Sequence, residues 1–281
     1  MDYVCAQGSR QGDRESNQDR VAIAERQNAV LMVLGDGLGG YRGGEIAAEM
    51  LCRCAIRAFR QIKTPIITDP SNFLAMTIFQ AHFAIKQMGP RMQPPMKPRT
   101  TCVVCLVQEG CAYWAHVGDS RLYHYRHSQL VNRTRDDTEV DLLRERGILS
   151  DTEARAHPDK SRLLRCLGSH DPVVTLSAET VLQPGDTLLL CSDGAWETLG
   201  RDEIPRFLGQ PMLDGGLSDL LAAAEARHEG HSDNVTAAAL RWQGARGVAA
   251  GRAPQGRSLT AKAFWEQGQR LAMAQRTKQE I

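Results

Sequence analysis

Short apolar runs and two long amphipathic stretches alternate along the chain. Tyr3–Ser9 and Arg20–Glu25 read as strands, the second centred on V-A-I-A, and the polar, turn-rich R-Q-G-D-R-E-S-N-Q-D lies between them. Ala29–Leu34 is a third strand, apolar throughout, that runs into G-D-G-L-G-G. The period then changes. Ile46, Met50, Cys54, Ile56 and Phe59 recur at helical spacing over Gly43–Ile62, and Phe73, Met76, Phe79 and Phe83 do so over Ser71–Met88. The proline-dense G-P-R-M-Q-P-P-M-K-P-R ends that pattern, since proline continues neither period. Strands return at Thr100–Gln108 and Cys111–Val117, joined by an E-G turn, then at Leu122–Tyr125 and Gln129–Val131. Thr138–Arg146 and Asp151–Ala156 are charged helical stretches, and residues 147–168 otherwise form a long irregular excursion. Connections of that length with little core of their own are usually functional or mobile. Strands at Val173–Ala178 and Thr187–Cys191, a helix at Leu217–His228 and a strand at Asn234–Trp242 complete the pattern.

Because the strands arrive in hairpins, antiparallel sheets with segregated helices are expected, an α+β arrangement. No G-x-x-x-x-G-K-[ST] occurs, which with the hairpin order disfavours a doubly wound nucleotide fold. Glycine and proline supply five of the sixteen residues from Gln243 to Ser258, the composition of a flexible linker, and a helical pattern follows over Thr260–Lys278. The expected organisation is a catalytic body over 1–243, a linker over 244–258 and a basic helical tail over 259–281. Residues 245–281 hold seven Lys/Arg against two Asp/Glu, a net +5, which leaves −4 on residues 1–244. A solvated tail is the plain expectation for it, with docking to its own body or a partner the other reading.

Composition adds little beyond this. A hydrophobic fraction of 42% and a charged fraction of 24% are ordinary for a soluble globular chain, and a net charge of +1 suggests no nucleic-acid partner. No apolar run approaches the roughly 18 residues of a membrane span, and M-D-Y-V-C-A-Q-G-S-R has no apolar signal core, so a cytoplasmic protein with no membrane partner is expected. Among the eight cysteines, Cys102 and Cys105 form C-x-x-C, but on a strand an odd separation sends the two thiols to opposite faces. No second pair completes a zinc site, and buried free thiols are expected.

In D-G-L-G-G one carboxylate, Asp36, stands among glycines at a strand end. A hairpin turn and an oxygen-ligand site for a hard cation both fit that stretch. Four further aspartates stand where a strand meets a loop: Asp19 in E-S-N-Q-D, Asp119 in V-G-D-S-R, Asp193 in C-S-D-G and Asp233 in H-S-D-N. Each alone reads as a turn or cap residue. Sheet topology gathers strand ends at one edge, and converging carboxylates repel unless cations lie between them.

Taken in order, R-E-S-N-Q-D, D-G-L-G-G, R-T-T-C-V-V, V-G-D-S-R-L-Y, S-R-L-L-R-C-L-G, C-S-D-G-A-W and S-D-N-V-T-A-A-A-L resemble the motifs of the metal-dependent (PPM, type 2C) Ser/Thr protein phosphatases, the bacterial branch above all. The likeness spans about Asp2 to Arg241. It implies a four-layer α-β-β-α sandwich of two antiparallel sheets flanked by helices, with a dimetal site at one end. Asp36 then matches the carboxylate bridging both ions, with Gly37 lending a carbonyl to one. Asp193 and Asp233 complete the other, and Asp19 holds metal-bound water beside Gln18, where the family commonly has Glu. Asp119, with Asp193, matches the site of a third, looser ion. Arg14 matches the arginine that binds the substrate phosphate, a role suited to its planar fork. An all-oxygen, carboxylate-rich set favours two Mn²⁺ or Mg²⁺ ions over zinc. The implied reaction is attack on phosphoserine or phosphothreonine by a hydroxide bridging the metals, with no covalent phosphoenzyme.

Leu38 departs from the eukaryotic members, which carry histidine there in the place of a general acid. His157, in A-H-P-D of the charged excursion, is the one substitute the sequence offers. The resemblance further implies phosphorylated proteins as partners, among them a bacterial Ser/Thr kinase and its substrates, and a monomer is expected. A non-catalytic pseudophosphatase is the alternative, and loss of Asp36 or Asp193 would favour it; neither is lost. A phosphatase fused to a sensor has no room in 281 residues, and the acidic body disfavours a metal-dependent nuclease.

Overall fold

The continuous apolar run Ala29–Leu34 is apolar because both of its faces are covered. Ala29, Leu31 and Val33 pack under two helices, whereas Val30, Met32 and Leu34 pack against a second sheet. This is a computed structural model, and it describes residues 1–38, 43–170, 172–227, 230–244 and 257–260.

The strands are β1 (Asp2–Arg10), β2 (Arg20–Arg26), β3 (Ala29–Gly35), β4 (Cys102–Gln108), β5 (Cys111–Val117), β6 (Arg121–Arg126), β7 (Gln129–Arg133), β8 (Val173–Leu176), β9 (Thr180–Val181), β10 (Thr187–Cys191), β11 (Val235–Gly244) and β12 (Arg257–Thr260). The helices are α1 (Gly44–Gln61), α2 (Pro70–Met88), α3 (Glu139–Glu145), α4 (Asp151–Ala156), α5 (Asp193–Trp196), α6 (Ile204–Leu208) and α7 (Leu213–Ala226). One sheet runs β1-β11-β10-β6-β7 and the other β12-β8-β5-β4-β3-β2, with β9 on β5. Every pairing is antiparallel.

Three apolar layers hold this four-layer sandwich together. Phe59, Phe73, Ile78 and Phe79 of α1 and α2 cover the outer face of β3 and β4. Leu188, Leu190, Leu240 and Trp242 fill the space between the sheets. Leu213, Leu217, Leu220 and Leu221 of α7 cover the outer face of β1 and β11. The expected α-β-β-α arrangement is what the chain adopts. Cys102 lies in the helix-side layer and Cys105 in the inter-sheet layer, so the C-x-x-C thiols do point apart, and all eight cysteines are free. Burial pushes their thiols up, Cys52 to about 12.

Element ends differ where side chains rather than periodicity decide them. Helix α2 starts at Pro70 because the Asp69 carboxylate accepts the N–H of Asn72 and proline suits the first turn. Ser150 and Glu153 form a reciprocal capping box on α4. Helix α7 begins four residues before the expected Leu217, and Gly216 must be glycine because a Cβ there would meet the Phe207 carbonyl at 2.1 Å. The one-turn helices α5 and α6 and the two-residue β9 were too short for a periodic signal. The expected linker 244–258 is not wholly irregular. Its last two residues open β12, which pairs Arg257 with Leu176 and Thr260 with Val173 at the free edge of β8. The tail helix expected after Thr260 lies outside the described residues, as do residues 39–42 of the glycine loop. Among the described residues no helix is long and apolar enough to cross a membrane.

Candidate active site

Register explains why the five aspartates meet. Arg20 pairs with Gly35, which places Asp19, just before β2, beside Asp36, just after β3. Cys191 pairs with both Arg121 and Ala237, so the end of β10 brings Asp193 alongside Asp119, which precedes β6, and Asp233, which precedes β11. The connection from β5 to β6 crosses from one sheet to the other at this same edge. A cleft of about 360 Å³ opens there, lined by Arg14, Glu15, Ser16, Gln18, Asp36, Gly37, Leu38, Asp119, Ser161, Leu163, Asp193, Asp233 and Asn234. Asp19 lies beneath it, 2% exposed, and accepts a 2.7 Å hydrogen bond from Ser192 Oγ.

The backbone around these side chains is held by residues whose motifs were visible but whose roles were not. Thr101 Oγ1 accepts the Asp36 N–H at 3.0 Å and lies 2.6 Å from Ser120 Oγ. The Thr101 N–H and the Thr100 hydroxyl both donate to the Asp36 carbonyl, at 2.8 and 2.9 Å. Gly37 must be glycine, because a Cβ there would lie 2.4 Å from the Gly44 carbonyl carbon and 2.6 Å from the Gln18 carbonyl. The Arg14 loop is fastened to the segment before β11. Asn234 Nδ2 donates to the carbonyls of Gln11 and Ser16, its Oδ1 accepts the Gln18 N–H, and the Asp13 carboxylate accepts the Ser232 N–H. At Gly12, φ is +61° and a Cβ would meet the Asp233 carbonyl at 2.3 Å, so both shape and space require glycine.

Electrostatically the floor of the cleft is dominated by its carboxylates. Burial, and then the charges of Asp19, Asp193, Asp119 and Asp233, push the Asp36 carboxyl well above the usual range. Burial also raises Asp119, with Asp193 the next contributor. Burial lifts Asp19 to about 7 despite hydrogen bonds from Ser192 and Thr236, and lifts Asp193 to about 6 with help from Asp233. Among the described residues no three of the acidic, histidine or cysteine side chains form a ready-made metal cage. Gln18 Oε1 is buried with no hydrogen-bond partner among the described residues. Converging carboxylates, an orphaned amide oxygen and no sulfur or imidazole donor together suit hard divalent cations. The donor set therefore fits Mn²⁺ or Mg²⁺.

Arg14 supplies the compensating charge at the rim. Its Nη2 donates to Asp233 Oδ2 at 2.7 Å, and that contact raises the guanidinium above its ordinary value. Leu38 lines the cleft, whereas His157 does not. His157 caps the end of α4, and its Nδ1 accepts the Asp159 N–H at 3.1 Å. The structure thus brings together Arg14, Asp19, Asp36, Gly37, Asp119, Asp193 and Asp233, and leaves out His157. Sequence reading passed over Thr100, Thr101, Ser192 and Asn234 as individual residues, although T-T, C-S-D-G and S-D-N were all legible.

Known proteins share this sequence pattern and fold. The family model for protein phosphatase 2C matches residues 7–239. The serine/threonine phosphatase Stp of Listeria monocytogenes is 30% identical over 226 residues, 79% of this chain and 89% of that one. The solved serine/threonine phosphatase of S. agalactiae superposes with a TM-score of 0.77 at 28% identity, covering 85% of this chain and 99% of that one. The catalytic domain of the phosphatase PstP, solved in complex with two manganese ions, superposes with a TM-score of 0.72 at 27% identity, covering 85% of this chain and 97% of that one.

Proposed function

We propose that this chain, which belongs to the protein phosphatase 2C family and is a serine/threonine phosphatase, carries out its hydrolysis in the cleft between Arg14 and the buried aspartates. The convergence of Asp19, Asp36, Asp119 and Asp193 with Asp233 at one sheet edge carries this reading.

Asp36, Asp193 and Asp233 would hold two Mn²⁺ or Mg²⁺ ions with the Gly37 carbonyl, Asp19 would hold water of their hydration shell, and Asp119 would serve a third, looser ion. Such ions, when bound, activate water at neutral pH and neutralise charge on the phosphoryl oxygens. The chain's own residues do the rest. Thr100 and Thr101 fix the backbone of Asp36, so its carboxylate is aimed before any ligand arrives. Arg14, 57% exposed at the rim, can turn from Asp233 to two oxygens of an incoming phosphate. Ser16 and Asn234 keep the Arg14 loop against β11, which sets the direction of that turn. Leu38 contributes no proton donor, so no side chain at that point protonates the leaving serine or threonine oxygen.

Phosphorylated proteins are the substrates, and we assign a partner Ser/Thr kinase, a cytoplasmic site of action and a monomeric state on the bacterial resemblance. The test is hydrolysis of a phosphothreonine peptide in Mn²⁺, in Mg²⁺ and in EDTA. Turnover with either metal and none in EDTA is expected, and Asp36→Ala and Asp193→Ala are expected to abolish it. Appreciable turnover in EDTA would overturn the assignment.

A further inference from the structure

A second and larger cavity, about 470 Å³, stands beside the catalytic cleft and takes no part in the chemistry above. Its floor is Arg121 stacked 3.3 Å over the Trp196 ring, and Arg133, Lys160 and Arg201 stand around its mouth. It shares two walls with the cleft. At one, Lys160 Nζ lies 3.3 Å from Glu197 Oε2 while the next residue, Ser161, which lines the cleft, donates to Glu197 Oε1. At the other, Trp196 Nε1 donates to the carbonyl of Asp119 at 3.0 Å.

The lining has five cations and three carboxylates, on a body whose residues 1–244 carry −4. Three of the cations are committed. Arg121 is bidentate to Asp136, Arg144 lies 2.6 Å from Asp141 and Lys160 pairs with Glu197. Two are not. Among the described residues the half-buried Arg133 guanidinium has no ion-pair or hydrogen-bond partner, and the largely exposed Arg201 has only Asp202 at 3.9 Å. Their backbones are nonetheless fixed. Arg133 pairs in register with Tyr123, and the Arg201 carbonyl accepts the hydroxyl of Tyr125. The two tyrosine rings stack with centroids 5.9 Å apart. A rigid aromatic shelf therefore presents two unspent cations across a cavity that opens next to the phosphate site.

We infer that this cavity recognises a second anionic side chain on the substrate protein, a carboxylate or another phosphoryl group, flanking the phosphoserine or phosphothreonine being hydrolysed. The inference rests on the phosphatase reading of the neighbouring cleft. An extended peptide advances only about 3.3 Å per residue. A chain with its phosphoryl group beside Arg14 therefore crosses the Lys160–Glu197 partition within a few positions. Planar guanidinium groups suit carboxylate and phosphate oxygens alike.

The experiment uses the full-length chain and phosphothreonine peptides carrying glutamate, phosphoserine or glutamine at each position on either side in turn. Two ratios are measured against the glutamine peptide: kcat/KM with Mn²⁺, and affinity by fluorescence anisotropy in EDTA. At one side and distance the wild type is expected to favour the anionic peptide about three- to tenfold in both, the size of one or two partly exposed ion pairs. In the Arg133→Gln/Arg201→Gln double variant both ratios are expected to fall to one, and Arg133→Lys to retain most of the preference. Each ratio is taken within one preparation, so a change in the fraction folded cancels. A gain with phosphoserine alone identifies a second phosphate as the ligand, and an equal gain with glutamate identifies a carboxylate. Flat ratios in the wild type, or a preference that survives the double variant, would overturn the inference. Absence of all turnover would count against the phosphatase reading alone, because the anisotropy ratio still tests the cavity.

Discussion

Arg14 Nη2 lies 2.7 Å from Asp233 Oδ2, so the cation assigned to the substrate phosphate is held by a carboxylate assigned to a metal. The two assignments compete for one contact. A cation held by Asp233 would take over that carboxylate and free Arg14 for an anion, an order of metal first and phosphate second.

Replacing Arg14 should therefore act in two opposite directions. Losing a charge-assisted, bidentate phosphate contact costs about 1.5–3 kcal/mol, so Arg14→Ala should lower kcat/KM by about one to two decades at saturating Mn²⁺. The same variant should bind Mn²⁺ slightly tighter by calorimetry. With Arg14 57% exposed, the pair it breaks is worth at most ~1 kcal/mol, about fivefold in affinity. Weaker metal binding in Arg14→Ala would contradict the competition.

The raised carboxyls fix a pH dependence of stability. With folded values of about 7 for Asp19 and about 6 for Asp193, above the ordinary value of an unfolded aspartate, folding takes up protons. Their contribution to stability is complete below pH ~4 and is lost as pH rises through 6 to 7. In EDTA, Tm should fall between pH 5.5 and 8. Mn²⁺ should raise it at pH 7.5 and raise it much less at pH 5.5, because protons compete for the same oxygens. Asp36→Asn, which removes one titratable carboxyl from the group, should raise Tm in EDTA at pH 7.5 while abolishing turnover. Scanning calorimetry at the two pH values decides the matter, and a metal-free Tm that climbs with pH across this window would refute it.

Leu38 leaves the place of the usual acid without a proton. A general acid is worth about 10²–10⁴-fold when the leaving group is poor and little when it is a nitrophenolate. The pH profile on a phosphothreonine peptide should accordingly show no alkaline limb in the histidine range. His157→Gln should match the wild type on peptide and aryl phosphate alike, since His157 is occupied with the Asp159 N–H away from the cleft. A limb near pH 7, seen only with the peptide and erased by His157→Gln, would instead make His157 the acid.

Removal of the C-terminal segment tests what β12 contributes. Every site residue precedes Trp242, so a chain ending at Gly244 should keep its kcat on a small aryl phosphate. It should, however, lose the pairing of Arg257–Thr260 with the edge of β8. A modest fall in Tm is expected, with faster amide exchange confined to Val173–Leu176. Loss of aryl phosphatase activity would mean that the segment supports the cleft itself.

The local order of this chain was determined by its sequence. The period changes at Ala29–Leu34 and at the two long helices follow from which side chains must leave water, so elements and layers were legible. The seven ordered motifs made the aspartates legible as a set. What the linear pattern could not contain is the register. Only pairing Arg20 with Gly35, and Cys191 with Arg121 and Ala237, turns five scattered turn aspartates into one repelling cluster. The same holds for the supports. Thr101 bonds Asp36 across 65 positions and Asn234 reaches Gln18 across 216, and hydrogen bonds at such separations leave no periodic trace. The engagement of Arg14 by Asp233, and the two uncommitted arginines around the stacked Tyr123 and Tyr125, were likewise decided only when the sheets closed. They depend on which charges are left unpaired once every nearer partner is taken.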